Sequence, residues 1–251
     1  MGRLDGKVAF ITGGAGSIGA ATARALVAEG ARVVISDVDE AALRSVADEL
    51  GGACEWIVCD VTDSDQVAAG VGLAVSTFGG LDFAFANAGI AGANAPIAEH
   101  STDAFERVLA VNVVGPFLVL KHAMAAIRDG GSIVITSSVV GLTAAPGIAG
   151  YATSKHAVVG LMRVAAKEGA DRGIRVNTIH PGPVDNAFQD AVERDATGAP
   201  TEEANKIFDS MIPLGRHARA DEIAAAVVYL ASDESAFVTG TTFALDGGMS
   251  I

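Results

Sequence analysis

The feature that most constrains this chain is its rhythm. Strand-like runs alternate with helix-like runs from one end to the other. Strands read at Val8–Ile11, Arg32–Ser36, Glu55–Val58, Leu81–Ala86, Ser132–Ser137, Arg175–Ile179 and Thr242–Leu245. Helical periodicity reads at 18–29, 40–50, 64–78, 103–128, 151–170 and 221–231. Val33-Val34-Ile35 and Ile133-Val134-Ile135 are apolar without alternation, as strands buried on both faces must be. Successive parallel strands need long crossovers, and helices in those crossovers cover both faces of the sheet. The expected class is therefore α/β, a parallel sheet with helices on both faces. No linker or repeat breaks the pattern, so residues 1–251 read as one domain. The polar segment Pro183–Pro213 interrupts the rhythm. It is expected to be an irregular lid, because it is longer than an ordinary connection and follows a strand end.

Composition narrows the partners. The chain is half hydrophobic, enough for a large core, and carries a formal charge of −13, which repels nucleic acid. Any anion site should be local and built from backbone N–H groups. Met1 to Asp5 show no secretory pattern, and Gly6 stands where a myristoylation signal needs Ser or Thr. The longest apolar stretch, Val108 to Ile127, contains Asn112, Lys121 and His122, so it reads as a buried helix rather than a membrane span. Cys54 and Cys59 make no C-x-x-C pair, which suits reduced thiols in a cytoplasmic protein. The five histidines form no cluster with metal-ligand spacing, so no metal is expected.

Thr12, Asp37, Asp60, Asn87, Ser138 and Pro181 all fall at or just past the C-terminal ends of strands. That edge is where open parallel sheets bind ligands. Thr12-Gly-Gly-Ala-Gly-Ser-Ile-Gly19 links a strand to a helix. Gly13 permits the turn, the small residues let N–H groups approach a pyrophosphate, the helix N-terminus adds its dipole, and Gly19 allows close helix–strand packing. Asp37, eighteen residues after Gly19, can accept both ribose hydroxyls of an adenosine and would repel a 2′-phosphate. No Arg or Lys lies in the turn or at Val38 to offset it, so NAD is expected over NADP. Asp39 is better placed to cap the following helix. Asp60 and Val61 can hold the adenine edge, and Asn87-Ala88-Gly89 gives a floor of small residues.

Tyr151 and Lys155 are four apart on a helix and share a face, with Ser138 thirteen residues before the tyrosine. A neighbouring ammonium and an oxidised nicotinamide would both favour the phenolate, which then serves as base for an alcohol or, protonated, as acid for a ketone. Ser138 can donate to the substrate oxygen, and Lys155 can also bond the nicotinamide ribose. Asn112 sits inside the long helix, and Pro116 deprives its carbonyl of a helical donor. That carbonyl is expected to hold a water that reaches Lys155.

With these pieces in order, the chain resembles the short-chain dehydrogenase/reductase family over essentially its whole length. The matching residues are Thr12-Gly13 with Ile18-Gly19, Asp60-Val61, Asn87-Ala88-Gly89, Asn112 to Gly115, Ser138, Tyr151 with Lys155, Pro181-Gly182, and Thr239 with Asp246-Gly-Gly248. The resemblance implies a doubly wound, Rossmann-like sheet of seven strands and a catalytic tetrad of Asn112, Ser138, Tyr151 and Lys155. It also implies a homotetramer or a dimer. Three positions depart from the family pattern. Ser17 replaces a glycine in the turn, but its N–H and hydroxyl remain available to phosphate. Ala86 replaces the first Asn of Asn-Asn-Ala-Gly. Asn186 stands where the family often has a Thr that bonds the nicotinamide carboxamide, in the loop that carries Val184. Val140, Leu142, Ile148, Phe188 and Met211 are expected to face substrate. They are apolar, which suits a neutral secondary alcohol or ketone. His180 reads as packing. The alternatives are an NADPH-dependent 3-oxoacyl thioester reductase and a dinucleotide sensor without turnover; Asp37 and the −13 charge count against the first, and the intact tetrad against the second.

Overall fold

The structure is a computed structural model that describes residues 2–251. Its centre is a seven-stranded parallel sheet in the order β3-β2-β1-β4-β5-β6-β7. The strands are β1 (Val8–Thr12), β2 (Arg32–Asp37), β3 (Cys54–Val58), β4 (Phe83–Ala86), β5 (Ser132–Thr136), β6 (Arg175–Pro181) and β7 (Thr242–Leu245). The order reverses between β1 and β4, which opens a crevice at their C-terminal ends.

Alternation along each strand divides the core into two layers. Phe10, Val34, Ala84 and Ile133 face one side, where α3 (Ser64–Phe78), α5 (Gly115–Ala126) and α6 (Ala149–Glu168) cover them with Val67, Val71, Val119, Val158 and Met162. Ile11, Val33, Ile35, Phe85 and Val134 face the other, under α1 (Ser17–Ala28), α2 (Glu40–Leu50) and α9 (Ala220–Ala231). Burial of this kind contributes roughly 25 cal/mol per Å² of apolar surface and is the main term holding the layers together. Local chemistry fixes the ends of the elements. Asp39 accepts from Ala42 N at 3.0 Å and caps α2, the role expected of it. Asp63 accepts from Asp65 N and Gln66 N at the start of α3.

Two segments differ from the sequence expectation. The long helix read over 103–128 is not one helix. It runs as α4 (Thr102–Leu109), a five-residue π-turn (Ala110–Val114) and α5. Pro116 supplies no N–H, and the widened turn closes on Gly115 N donating to Ala110 O. The second difference is Pro183–Pro213, which is not irregular: it forms α7 (Ala187–Thr197) and α8 (Thr201–Met211), joined at Gly198 with φ +69°. Its polar composition obscured the helical period, because only Glu193 and Ala204 of this hairpin are fully buried.

Candidate active site

The dinucleotide end is assembled at the switch point. Gly13 has φ +65°, and a Cβ there would lie 2.9 Å from the Ala88 backbone, so only glycine lets β1 and the end of β4 meet. Asn87 fastens this contact: its Nδ2 donates to Gly13 O at 3.2 Å and its Oδ1 accepts from Thr136 Oγ1 at 3.1 Å. Thr12 Oγ1 accepts from Asn87 N and Ala88 N. The packing roles of the glycines differ from expectation. Gly14, not Gly19, lies against the strand, where a Cβ would be 2.6 Å from Ile35 Cβ. Gly19 packs on the turn itself, with a Cβ only 2.1 Å from Gly13 O. Gly16 and Ser17 are exposed at the start of α1, and the first-turn N–H groups Ser17 to Gly19 have no acceptor within the helix.

Asp37 stands beside this cradle at the end of β2. Its Oδ2 accepts from Ala15 N at 3.2 Å and its Oδ1 from Val38 N at 2.7 Å. These bonds orient the carboxylate at the mouth, and the neighbouring Val38 is 68% exposed and uncharged. Asp60 Oδ1 accepts from Thr62 N and Thr62 Oγ1, which holds the carboxyl below the usual carboxylate range. Val61 is buried against Gly115, where a Cβ would sit 2.9 Å from Val61 Cγ2. The cradle a Cβ would fill, the free helix N-terminus and the oriented carboxylate together fit a dinucleotide.

At the other side of the switch point, Ser138 follows β5, and Tyr151 and Lys155 lie on α6. Lys155 is buried, and its Nζ donates to Thr136 O at 2.9 Å and sits 5.4 Å from the centroid of the Tyr151 ring. Burial lowers its pKa to about 8. Burial also raises the Tyr151 phenol above its ordinary value, while a hydrogen bond with Ser138 draws it back down. A neighbouring ammonium was expected to favour the phenolate; the largest influence on the phenol is instead burial. Ser138 is set by His180, which is fully buried, with Nδ1 2.9 Å from Ser138 O and Nε2 2.9 Å from Thr178 Oγ1. The packing role read for His180 is the one the structure gives it.

Asn112 lies in the π-turn, fully buried. Its Oδ1 accepts from Ile90 N at 2.9 Å, and its Nδ2 donates to Ile90 O at 2.8 Å and to Ser154 Oγ at 3.1 Å. The side chain thus clamps the loop after β4, and Gly89 is held where a Cβ would be 3.3 Å from Asn112 Oδ1 and 3.5 Å from Lys155 Nζ. Asn112→Ala leaves the half-buried N–H and C=O of Ile90 without their partner, at up to about 1–3 kcal/mol each. It is expected to lower the thermal midpoint by several degrees, checked by calorimetry.

The loop after β6 carries the residues expected to face the nicotinamide. Gly182 packs so closely that a Cβ would lie 2.9 Å from Asp246 Cα. Ala218 N donates to Pro183 O and Ala218 O accepts from Asp185 N, both at 2.9 Å, so the N–H and C=O of Val184 point away from this bridge. Asn186 Oδ1 accepts from Gln189 N at 2.8 Å and caps α7, so the carboxamide contact considered for that position competes with a cap. Val140 and Ile148 are half-buried beside Ser138 and at the start of α6, and Phe188 is 44% exposed on α7. Leu142 and Met211 are also exposed. Sequence reasoning did not single out Thr136, Ser137 or Ser154. Their hydroxyls and carbonyls fasten Asn87, Lys155 and Asn112, and no local motif marks them.

Fold and site together define a dinucleotide-binding oxidoreductase of the doubly wound α/β class. A sequence profile described as enoyl-(acyl carrier protein) reductase matches residues 13–250. A 2,5-dichloro-2,5-cyclohexadiene-1,4-diol dehydrogenase of Sphingobium indicum is 41% identical, covering 100% of this chain and 99% of the relative. A 3-alpha-(or 20-beta)-hydroxysteroid dehydrogenase of Mycobacterium bovis is 41% identical, over 98% of this chain and 90% of that one. The crystal structure of levodione reductase superposes with a TM-score of 0.95 at 35% identity, over 99% of both chains. The chain belongs to the short-chain dehydrogenase/reductase family.

Proposed function

We propose that the enzyme transfers hydride between NAD(H) and a neutral secondary alcohol or ketone, with Tyr151 as general acid and base. The observation that carries this reading is the meeting of Ser138, Tyr151 and Lys155 beside the glycine cradle at one sheet edge. The names of similar proteins, dehydrogenases of a cyclic diol and of hydroxysteroids, support the substrate class. When bound, the nicotinamide supplies the hydride acceptor or donor. The first-turn N–H groups of α1 would hold its pyrophosphate, Asp37 its adenosine ribose, Asp60 and Val61 its adenine edge, and Val184 its carboxamide. Ser138 donates to the substrate oxygen, Tyr151 takes or gives the proton, and Lys155 supplies positive charge beside the ring. A water held on the Asn112 carbonyl, which loses its α-helical donor at Pro116, would reach Lys155 and carry protons between it and solvent.

Residues 1–251 then act as one catalytic unit, with the α7–α8 hairpin as lid carrying Phe188 over the substrate. Exposed Val114, Phe117 and Val164 on the outer faces of the π-turn, α5 and α6 support assembly into a homotetramer. Burial pushes the Cys54 and Cys59 thiols up to about 12 and about 11, which keeps them inert and suits a reducing cytoplasm. NADPH-dependent reduction of a 3-oxoacyl thioester is the second reading, and the description of the matching profile shares with it only a carrier-protein substrate. The acidic surface and Asp37 weigh against it.

The test is NADH against NADPH formation from a panel of cyclic and bulky secondary alcohols at mildly alkaline pH. Asp37→Ser is expected to lower kcat/KM for NAD by about 10–100-fold, through loss of charge-assisted bonds to the ribose, and to narrow the preference over NADP. A wild type that prefers NADP would overturn the cofactor assignment.

A further inference from the structure

Outside the tetrad, the lid holds a buried cluster of charge. Glu193 is fully buried on α7, a costly place for a carboxylate without partners. Its Oε1 accepts from Gln189 Nε2 at 2.9 Å and lies 2.7 Å from His217 Nε2. The other ring nitrogen, His217 Nδ1, lies 2.7 Å from Asp209 Oδ1 near the end of α8. A neutral imidazole has one N–H and can donate to one carboxylate only; two carboxylates call for both protons. Burial opposes that charge, but the hydrogen bonds and charges of Asp209 and Glu193 outweigh it and raise the pKa of His217. The other charged groups around it are committed elsewhere. Arg216 forks onto Glu222 of α9, Arg219 pairs with Asp221, and Asp190 of α7 accepts from Asn205 Nδ2 of α8. One residue beyond His217, Ala218 forms the backbone bridge that flanks Val184.

We propose that His217 is a positioning residue: its bridge between Glu193 and Asp209 locks α7 and α8 to the Pro183–Asp185 loop and thereby sets affinity for the substrate alcohol. The link to substrate affinity rests on the reading of the hairpin as a substrate lid. The sign with pH follows from the charge. A histidine whose pKa is raised on folding contributes its full stabilisation below about pH 6.5 and loses it as pH rises through the folded value. The lid should therefore loosen on the alkaline side, above the ordinary histidine range.

The experiment compares wild type, His217→Gln and Asp209→Asn, each as the full chain. Hydrogen exchange over residues 187–211, corrected for intrinsic rates, is followed from about pH 6 to about pH 9 alongside steady-state kinetics. In wild type, protection of the hairpin is expected to fall by about tenfold or more across the titration; in His217→Gln it is low throughout. At the acid end, His217→Gln is expected to raise KM for the alcohol by about tenfold, with kcat within about twofold. Asp209→Asn keeps the shape, removes one anion at a half-exposed position and should shift the midpoint of the exchange profile to lower pH. It keeps the test open if His217→Gln does not fold. Equal protection in wild type and His217→Gln, or a midpoint unmoved by Asp209→Asn, overturns the lock whether or not any alcohol is turned over. Altered protection with an unaltered KM overturns its link to substrate.

Discussion

Tyr151→Phe is expected to lower kcat for alcohol oxidation by about 10³-fold, within the range general acid–base groups contribute, while leaving NADH affinity within about twofold. The substitution removes one oxygen and keeps the ring that packs over Lys155 Nζ at 5.4 Å, so the loss reports proton transfer rather than shape. The pH dependence separates the two directions. Burial raises the phenol, and the Ser138 bond only partly offsets this, so the free protein presents a neutral acid suited to ketone reduction. Oxidation needs the phenolate and should rise with pH, whereas reduction should fall through the same ionisation. Lys155, lowered to about 8 by burial, loses its charge on the alkaline side and withdraws the cation that favours the phenolate, so the oxidation profile is expected to turn over. Retention of more than about a tenth of wild-type kcat in Tyr151→Phe would remove the tyrosine from the chemistry. NADH fluorescence titration and single-turnover rates supply both numbers.

The second large effect is expected at the other end of the crevice. Gly19→Ala places a methyl 2.1 Å from Gly13 O and near the Gly14 backbone. Backbone atoms cannot rotate out of the way, so the turn must open. Overpacking of this kind costs about 1–3 kcal/mol. The distortion falls on the N–H groups from Ser17 onward, which are the ones left for a pyrophosphate. NADH affinity is expected to fall by about 100-fold with the chain still folded, read by calorimetric titration and circular dichroism. Unchanged affinity would mean that the pyrophosphate does not lie on this turn. A substitution at the exposed Gly52, around which a Cβ would meet nothing, is the control that should change little.

Much of this was written in one dimension. Gly13 to Gly19, Asp37 and Tyr151 with Lys155 are readable because each job depends on a few neighbouring residues: a turn, a strand end, one face of a helix. Alternation made the parallel sheet legible, and the family resemblance its doubly wound form, whereas the strand order came from the structure. Val33–Ile35 and Ile133–Ile135 did become inner strands buried on both faces. Boundaries were less legible. Leu81 and Asp82 precede β4 instead of opening it, although Asp82 N donates to Val8 O and Asp82 O accepts from Ser132 N.

The rest depended on which atoms the crossovers bring together. No local pattern says that Lys155 will donate to Thr136 O across the layer between α6 and β5, or that Asn112 will clamp Ile90, 22 residues away. The π-turn arises where a missing N–H at Pro116 meets the need to bury Asn112 whole. The hairpin of α7 and α8 looked like loop because its composition is polar and few of its residues are buried; its two helices pack chiefly on each other. His217 joins them from 24 and 8 residues away. Element order, the C-terminal sheet edge and the residue types along it follow from short-range sterics and periodicity, so they could be read along the chain. The partners of the buried polar groups could not, because most are satisfied by whatever groups packing brings against them.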